Sequence, residues 1–356
     1  MWKKPTLIID TMKVKRNIEK MLRKTMESKV VFRPHFKTHQ SGEIGEIFRR
    51  KGVDKIAVSS VSMAEYFANH GWNDITIAFP VNLLEINEIN RLASTISLNL
   101  LVESSFSANF LAEHLSHGAG IFIKIDTGYH RTGIDALNYK EIDSIIEIIK
   151  TAEHFQFKGF LAHAGHTYSA KSVSGIEDIY QTSISLLNEL KRRYIDDFPK
   201  LIISYGDTPS CSIIEDFSNV DEIRPGNFVF YDVMQYQIGS CVTDDIAAAA
   251  ACPVVAVHPK RSELVIYGGA IHLSKEFITD TEEKKSYGLV VHIDKNGWGS
   301  PIPGAYVSSI SQEHGIVKMK MEELAQFKPG DIIGILPIHS CLTVNLLSNR
   351  SYLAAL

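Results

Sequence analysis

The sequence lacks any apolar run of the roughly 20 residues that a membrane-spanning helix requires. Its amino-terminal segment leads directly into the short apolar stretch at residues 7–9, which is too brief for the hydrophobic core of a secretory signal. The net charge is only −4, which gives no indication of a polyanionic or acidic-membrane partner. We therefore expect neither nucleic acid nor a membrane as a partner.

Cysteine is also scarce, and the chain shows no internal repeats or low-complexity tracts. The four cysteines are Cys211, Cys241, Cys252 and Cys341, and their scattered positions are unlike the spacing of a disulfide scaffold. A reduced, cytoplasmic protein is therefore the expectation.

The first two thirds of the chain alternate between short β-rich runs and longer amphipathic stretches. Helical spacing of apolar residues predicts helices at residues 42–50, 142–149 and 176–194. Eight strands joined by helices are typical of a (β/α)8 TIM barrel, with a doubly wound sheet as the alternative. The strand-like segments are residues 30–32, 55–59, 75–79, 96–102, 121–125, 157–163, 201–204 and 221–224.

After about residue 240 the pattern changes to short strands separated by Gly and Pro turns. This pattern predicts a mostly antiparallel β domain at residues 241–356, joined by an amino-terminal strand within residues 1–10. The barrel would then occupy residues 11–240. The strand-like segments of the β domain are residues 254–257, 263–267, 287–293, 305–310, 315–319 and 331–336.

Most polar motifs follow predicted barrel strands, at the face where barrels of this kind hold their active sites. Lys37 follows the first strand within the segment Arg33–His39. Lysine is the residue that forms a Schiff base with pyridoxal phosphate (PLP), although a lysine after a strand is more often a solvated surface charge. Lys37 alone is therefore only a candidate cofactor anchor.

The loops after strands seven and eight suit a phosphate group. Gly206 and Gly226 permit close backbone approach, and Thr208 and Ser210 offer hydroxyls at the start of a predicted helix near Ser210. A turn followed by an ordinary capped helix would look the same, but the position after strands seven and eight favours phosphate.

Taken in order, these motifs resemble the fold-type III PLP enzymes, the class of alanine racemase. Residues 124–133 resemble the lysine–x–Asp-Thr-Gly–x–x–Arg segment of that class. Residues 33–39 and 224–230 resemble the lysine-bearing segment and the Arg-Pro-Gly segment of the D-serine dehydratase and D-threonine aldolase branch. The resemblance implies PLP bound to Lys37, and it implies these further cofactor-binding residues: Arg131, Tyr168, Gly206, Asp207, Thr208, Gly226 and Asn227.

The segment 337–343 contains His339 and Cys341, which would project to one side of an extended chain. Imidazole and thiolate together suit Zn²⁺, although a strand-end histidine beside a buried cysteine is the commoner explanation of such a pair. The dehydratases that the chain resembles use His–x–Cys for zinc, whereas the aldolases show His–x–Asp. Cys341 therefore favours the dehydratase.

Other positions are less informative. Leu161 stands where some dehydratases have a cofactor-side tyrosine, which puts that cofactor contact in doubt. His163 and His166 are interpreted as loop histidines with satisfied hydrogen bonds rather than as functional groups. The segment 312–315 is familiar in this branch, but its role cannot be assigned from sequence.

The resemblance implies a D-serine dehydratase, in which Lys37 removes the α-proton and zinc acts as a Lewis acid on the β-hydroxyl. The alternatives are a D-threonine aldolase and a D-3-hydroxyaspartate dehydratase, which would need an extra cation for the distal carboxylate. An alanine-type racemase and a non-catalytic PLP carrier fit the His339–Cys341 pair less well. The resemblance also implies a homodimer.

Overall fold

A computed structural model describes residues 2–279, 283–347 and 350–353. The strands in these ranges are β1 (Thr6–Asp10), β2 (Val31–Phe32), β3 (Ile56–Val58), β4 (Asp74–Pro80), β5 (Ser97–Val102), β6 (Ala119–Asp126), β7 (Ile134–Asp135), β8 (Phe155–Ala162), β9 (Ile202–Tyr205), β10 (Glu222–Ile223), β11 (Ala248–His258), β12 (Glu263–Tyr267), β13 (Ile278–Thr279), β14 (Lys285–Ser286), β15 (Gly288–Val291), β16 (Ile293–Asp294), β17 (Gly297–Trp298), β18 (Tyr306–Ile310), β19 (His314–Lys318), β20 (Ile332–Pro337) and β21 (Arg350–Leu353).

The α-helices in the same ranges are α1 (Thr11–Ser28), α2 (Gly42–Arg50), α3 (Val61–Asn69), α4 (Ile86–Ala93), α5 (Ser105–His114), α6 (Tyr139–Thr151), α7 (Val173–Tyr194), α8 (Thr208–Ile213), α9 (Val233–Gln237), α10 (Ala270–Leu273), α11 (Met321–Leu324) and α12 (Ser340–Leu346). No helix of the described residues combines the length and the apolar character that crossing a membrane requires.

The chain folds into two compact units. Residues 20–226 form one, called the barrel unit, and residues 1–19 with 227–356 form the other, called the β unit. The domain boundaries placed at residues 10/11 and 240/241 from the sequence stay a prediction, and their outer ends at residues 1 and 356 lie outside the described residues.

The sheet of the barrel unit closes on itself. Its parallel strands follow the order β2-β10-β9-β8-β6-β5-β4-β3, and β7 adds to β6 at the side. A parallel bridge between His35 and Ala57 joins the two ends of this order, and the N–H of Phe36 donates to the Ala57 carbonyl at 2.8 Å. The predicted (β/α)8 barrel is therefore confirmed, because a doubly wound sheet would keep two open edges.

Sequence-local signals account for the helices around the barrel. The hydroxyls of Ser41, Ser60 and Ser104 each accept a hydrogen bond from the backbone N–H three residues ahead, at the starts of α2, α3 and α5. The predicted helix at residues 142–149 lies within α6, whose buried isoleucines recur at helical spacing. The starts of these helices and the burial of their apolar faces therefore agree with the sequence pattern.

A buried ionic network crosses the interior of the barrel. Glu222 accepts a 2.6 Å hydrogen bond from Arg33 and a 2.5 Å hydrogen bond from the Ser204 hydroxyl. The other side of Arg33 meets Asp74 at 2.7 Å, and Arg224 donates from Nε to Ser204 Oγ at 2.6 Å. One carboxylate therefore links two arginines, directly on one side and through a serine on the other.

The β unit is built on an eight-stranded sheet in the order β12-β19-β18-β15-β20-β11-β1-β21. The amino-terminal strand β1 pairs antiparallel with β11 and parallel with β21. The segment predicted as one strand at residues 287–293 is divided, because residues 293–294 pair with β17 whereas β15 pairs with β20. The predicted mostly antiparallel β domain is confirmed in its architecture.

Replacing Glu222 with Ala should destabilise the barrel unit by about 3–5 kcal/mol, because Arg33 would lose its closest counter-charge inside the core. Urea unfolding followed by circular dichroism measures this as a lower midpoint. The matched control is Glu147→Ala, which removes a solvent-exposed partner of Lys150 and should leave the midpoint almost unchanged. Equal midpoints for both variants would contradict a central role of Glu222.

Candidate active site

Lys37 lies in a tight turn that follows β2. Phe36 is fully buried and packs edge-on against Trp72 and Phe67, with ring centroids 5.0 Å away in each case. His35 donates its backbone N–H to the Pro225 carbonyl at 2.9 Å and accepts the N–H of Lys37 on Nδ1 at 3.3 Å. The neighbours of Lys37 are thus anchored, and the lysine itself is half-buried.

Two histidines of the barrel unit, His35 and His163, lie close to positively charged side chains. Burial lowers the pKa of His35 well below its usual value, and the charges of Lys37 and Arg224 lower it further. Burial also lowers the pKa of His163, together with the charges of Lys37 and Lys124. Both imidazoles are therefore neutral near pH 7 and add no further positive charge to the site.

Lys124 belongs to the same group of cations. It is 5% exposed, and its Nζ donates to the Ile125 carbonyl at 3.0 Å. Burial and the charge of Arg224 lower the pKa of Lys124 to about 7. Burial is the larger cause, and the charges of Asp126 and Glu103 act in the opposite direction. The added effect of Arg224 nevertheless shows that positive charge lies close to Lys124, which favours an anion in this region.

The loops after β9 and β10 approach each other closely. A Cβ on Gly206 would lie 2.9 Å from the carbonyl oxygen of Arg224, and one on Gly226 would lie 2.9 Å from the carbonyl oxygen of His35. These contacts leave no room for a side chain at either position. The two glycines predicted from the sequence are therefore required by the backbone packing.

Asp207 and Thr208 begin α8, two residues earlier than the sequence suggested. Asp207 caps the helix by accepting the N–H of Ser210 at 2.6 Å, and burial raises the pKa of Asp207 even though such hydrogen bonds lower it. Tyr168 OH accepts the N–H of Thr208 at 3.4 Å. The Thr208 hydroxyl is buried and has no hydrogen-bond partner among the described residues.

A phosphate group fits this arrangement. The site offers several cations, a buried Thr208 hydroxyl without a hydrogen-bond partner among the described residues, and two loops that approach each other closely at glycines. An anionic cofactor such as PLP would interact with the cations and supply a partner for the hydroxyl. Its place among the residues named from the sequence stays a prediction.

Arg131 lies on the loop after β6, exposed and stacked 4.8 Å above the ring of Tyr129. Asp126 shapes this loop by accepting the backbone N–H groups of Gly128 and His130 at 2.9 and 3.1 Å. The charge of Arg131 contributes to the lowered pKa of His163. Its guanidinium therefore acts on the same region as Lys37 and Lys124.

The second candidate group, His339 and Cys341, lies in the β unit. The expectation that this segment is extended is wrong: β20 ends at Pro337, His339 is the N-cap of α12, and Cys341 is in its first turn. The two side chains nevertheless form a hydrogen bond. The side chains of His339 and Cys341 meet because the chain changes from an extended to a helical conformation between them.

The charges around His339 are negative. Burial lowers the pKa of His339, but its hydrogen bond to Cys341 and the charges of Cys341, Asp232 and Glu276 raise the pKa to about 9. A site that stabilises a proton on imidazole to this degree favours a cation. No third His, Cys, Asp or Glu completes a metal-binding cluster within the described ranges.

Asn227 supplies a further donor to this group. Its Nδ2 lies 3.7 Å from Cys341 Sγ, and its Oδ1 is buried without a hydrogen-bond partner among the residues that the structure describes. Nitrogen, sulfur and an amide oxygen form a donor set that fits Zn²⁺. The side chain of Asn227, predicted to bind the cofactor, is thus found beside the predicted metal ligands.

The barrel unit brings most of the predicted cofactor residues to its strand ends: Lys37, Arg131, Tyr168, Gly206, Asp207, Thr208 and Gly226. The Nδ1–H of His163 donates to the Gly206 carbonyl at 2.6 Å, which agrees with its interpretation as a loop histidine with a satisfied hydrogen bond and places it beside the Gly206 loop. His166 is half-buried, and its Nδ1 has no hydrogen-bond partner within the described ranges.

Sequence reasoning missed the contributions of Arg224, Lys124 and Asp232. Arg224 and Lys124 stand in the motifs that carried the resemblance, so strand-end position was an available signal for both. Asp232 precedes α9 as an N-cap, but its hydrogen bond to Ser340 joins residues 108 positions apart. No local pattern indicates that contact.

Comparison with known proteins agrees with this geometry. Residues 9–233 match the family model "Alanine racemase, N-terminal domain", and residues 247–352 match the "Putative serine dehydratase domain". D-serine dehydratase from Dictyostelium discoideum is 28% identical, over 96% of this chain and 91% of that protein. The solved structure of D-threo-3-hydroxyaspartate dehydratase from Delftia sp. HT23 has a TM-score of 0.90 and 25% identity, and it covers 100% of this chain and 95% of its own. D-threonine aldolase from Filomicrobium marinum shares the fold, with a TM-score of 0.81 at 18% identity, over 96% of this chain and 91% of that one.

Proposed function

Because the chain belongs to the family of the alanine racemase N-terminal domain, whose members depend on PLP, we propose that it is a D-serine dehydratase. The observation that carries this proposal is the hydrogen-bonded pair of His339 and Cys341. Similarity to a D-serine dehydratase over nearly the whole of both chains supports it.

The reaction requires removal of an α-proton and loss of a β-hydroxyl. Subsequent hydrolysis returns one water and releases ammonia, so D-serine becomes pyruvate and ammonia without an oxidant or reductant. Bound PLP supplies an electron sink for the bond that breaks at Cα. In this proposal Lys37 anchors the cofactor and takes the α-proton on Nζ.

Other residues of the barrel unit bind and orient. Thr208 and the backbone near Gly206 and Gly226 hold the phosphate. Arg131 presents a fixed positive charge to the substrate carboxylate. Neutral His163 keeps the Gly206 loop in place through its hydrogen bond to the carbonyl there.

In the β unit, His339 and Cys341 would hold Zn²⁺, and Asn227 offers an amide oxygen beside them. A zinc ion there supplies Lewis acidity, which makes hydroxide a better leaving group. An aldolase needs no such leaving group at Cβ, and a thiolate ligand suits zinc better than the harder ions that carboxylates select. Cys341 therefore supports dehydration over aldol cleavage.

The charges near His339 also bear on the choice between the two dehydratases. Asp232 and Glu276 act on His339 with negative charge. A substrate with a second carboxylate would meet repulsion from such groups. This supports D-serine over D-3-hydroxyaspartate, although a relative that acts on D-threo-3-hydroxyaspartate is 26% identical over 95% of this chain and 91% of that protein.

The purified protein should release pyruvate from D-serine and no glycine with acetaldehyde from D-threonine. Its kcat/KM for D-threo-3-hydroxyaspartate should be at least about tenfold lower because of charge repulsion. Replacing Lys37 with Ala should reduce kcat by about 10²–10⁴-fold or more and abolish the covalent cofactor absorbance. Replacing the exposed Lys171 with Ala is the control. Normal turnover by the Lys37→Ala variant would contradict the assignment of Lys37 as the catalytic lysine.

Removing metal with a chelator, or replacing Cys341 with Ala, should abolish pyruvate formation and leave the cofactor colour unchanged. The reason is that proton removal and hydroxyl loss depend on different residues. Zinc content by atomic emission and activity after zinc is added back measure the effect. Cys241→Ala is the matched control in the same unit, and full turnover by metal-free protein would exclude the zinc assignment.

Exposed apolar side chains of the barrel unit support a homodimer. Phe79, Leu84, Phe106 and Leu137 are all exposed, Leu84 by 93%. Phe79 lies in the last two residues of β4, and the other three follow the carboxyl ends of β4, β5 and β7. The turn that carries Leu84 contacts α5, which carries Phe106. Such a cluster at one end of a barrel is typical of a surface that a second copy covers.

Light scattering should therefore give twice the mass of one chain. Replacing both Leu84 and Phe106 with Glu should shift the mass toward one chain, because two charges would enter the buried surface. The control is Met26→Glu, an equally drastic change at an exposed position of α1, near the opposite strand ends. A fully active monomer would refute the proposed dimer.

All four cysteines are free thiols. Free thiols are usual in reducing compartments, which supports the proposal that this protein works in the cytoplasm.

A further inference from the structure

A tight turn places Asn227 and Asp232 together in the β unit. The carbonyl of Asn227 accepts the N–H groups of Phe230 and Tyr231 at 3.0 and 2.7 Å. Tyr231 is buried and has a φ of 47°, in the left-handed region that bulky residues seldom adopt. The surrounding structure maintains this unfavourable backbone conformation of Tyr231, and Asp232 is the next residue in the chain.

Asp232 is 1% exposed and is surrounded by donors. One carboxylate oxygen accepts Asn227 Nδ2 at 2.6 Å, Ser340 N at 3.0 Å and Ser340 Oγ at 3.3 Å. The other oxygen accepts Gln235 N at 2.9 Å. Since every contact is with a donor, Asp232 acts as an acceptor at both oxygens.

This arrangement fixes the amide of Asn227. A carboxylate can only accept, so the NH₂ end of the amide must face Asp232. The same nitrogen lies 3.0 Å from Ser340 Oγ and 3.7 Å from Cys341 Sγ, so its second N–H is shared between the hydroxyl and the sulfur. The amide oxygen is left buried and without a hydrogen-bond partner among the described residues.

Asp232 also holds the start of α12. Ser340 stands between His339 and Cys341, and Asp232 accepts both its backbone N–H and its hydroxyl. The carboxylate of Asp232 therefore binds the chain at Ser340, between His339 and Cys341. Asp232 is linked to Cys341 through Asn227, and it acts on His339 through its charge.

We propose that Asp232 is the positioning residue of the metal site. It aligns His339 and Cys341 through Ser340 and orients Asn227 so that its N–H faces the sulfur while its oxygen stays available as a third donor. The inference rests on the proposed function, because it assumes that His339 and Cys341 bind a metal ion. Hydrogen-bonded partners of this kind commonly change metal affinity by about 10–100-fold.

Replacing Asp232 with Asn tests the proposal with little change in volume. An amide can accept on only one side, so its NH₂ would oppose either the Gln235 N–H or the donors of Asn227 and Ser340. We expect the affinity of metal-free protein for Zn²⁺, titrated against a chromogenic chelator, to fall about 10–100-fold. The thiolate-to-cobalt charge-transfer band of the Co²⁺-loaded protein should shift or weaken.

Asp10→Asn is the matched control. Asp10 also accepts two N–H groups at a helix start in the β unit, those of Met12 and Lys13 at 3.0 and 3.1 Å. This variant should bind Zn²⁺ and Co²⁺ as the unaltered protein does. If Asp232→Asn does not fold, Ser340→Ala decides the question, because it removes the contact of Asp232 with the Ser340 hydroxyl and keeps all three proposed donors, so its Zn²⁺ affinity should also fall.

Unchanged Zn²⁺ affinity and an unchanged Co²⁺ spectrum in the folded variant would overturn the positioning role, even if its melting temperature fell. A purely structural Asp232 predicts that result. If the unaltered protein itself binds no Zn²⁺, the zinc part of the proposed function fails as well. Zn²⁺ binding by the unaltered protein therefore distinguishes failure of the positioning role of Asp232 from failure of the proposed zinc site.

Discussion

The buried carboxylate of Glu222 is the interaction on which the barrel unit depends. It neutralises Arg33 directly and reaches Arg224 through Ser204. Both arginines precede loops that carry proposed cofactor residues, since Lys37 follows Arg33 by four residues and Gly226 follows Arg224 by two. Removing one partner would leave an uncompensated buried charge, so the network inside the barrel also constrains the starting points of these loops.

How far the sequence predicts this fold depends on the range of the interactions. Alternating apolar runs, serine caps and helical spacing are local, and the eight barrel strands and α2 follow from them. The motif around Lys37 could be recognised equally well, because it is one continuous segment of the sequence. The start of α8 was placed two residues late, because Asp207 rather than a later residue caps that helix.

The site in the β unit shows where local reasoning ends. The segment with His339 was expected to be extended, and alternation along a strand was the reason given for pairing it with Cys341. The pair forms at a helix start instead, where Asp232, more than a hundred residues earlier in the chain, accepts the N–H of Ser340 between them. Such a contact depends on the folded chain, so neither the conformation nor the role of Asp232 was accessible from the sequence.

The electrostatics of the two units complement the chemistry of dehydration. In the barrel unit, burial and the charges of Lys37, Lys124 and Arg131 lower the pKa of His163, and this group of cations favours an anion. In the β unit, Cys341, Asp232 and Glu276 raise the pKa of His339, which favours a cation. In the proposed dehydration, an anionic cofactor would accept electrons and a metal ion would assist departure of the hydroxyl, so one group of each kind would be used. A racemase would need only the first, so the negative group in the β unit supports the proposal of a lyase.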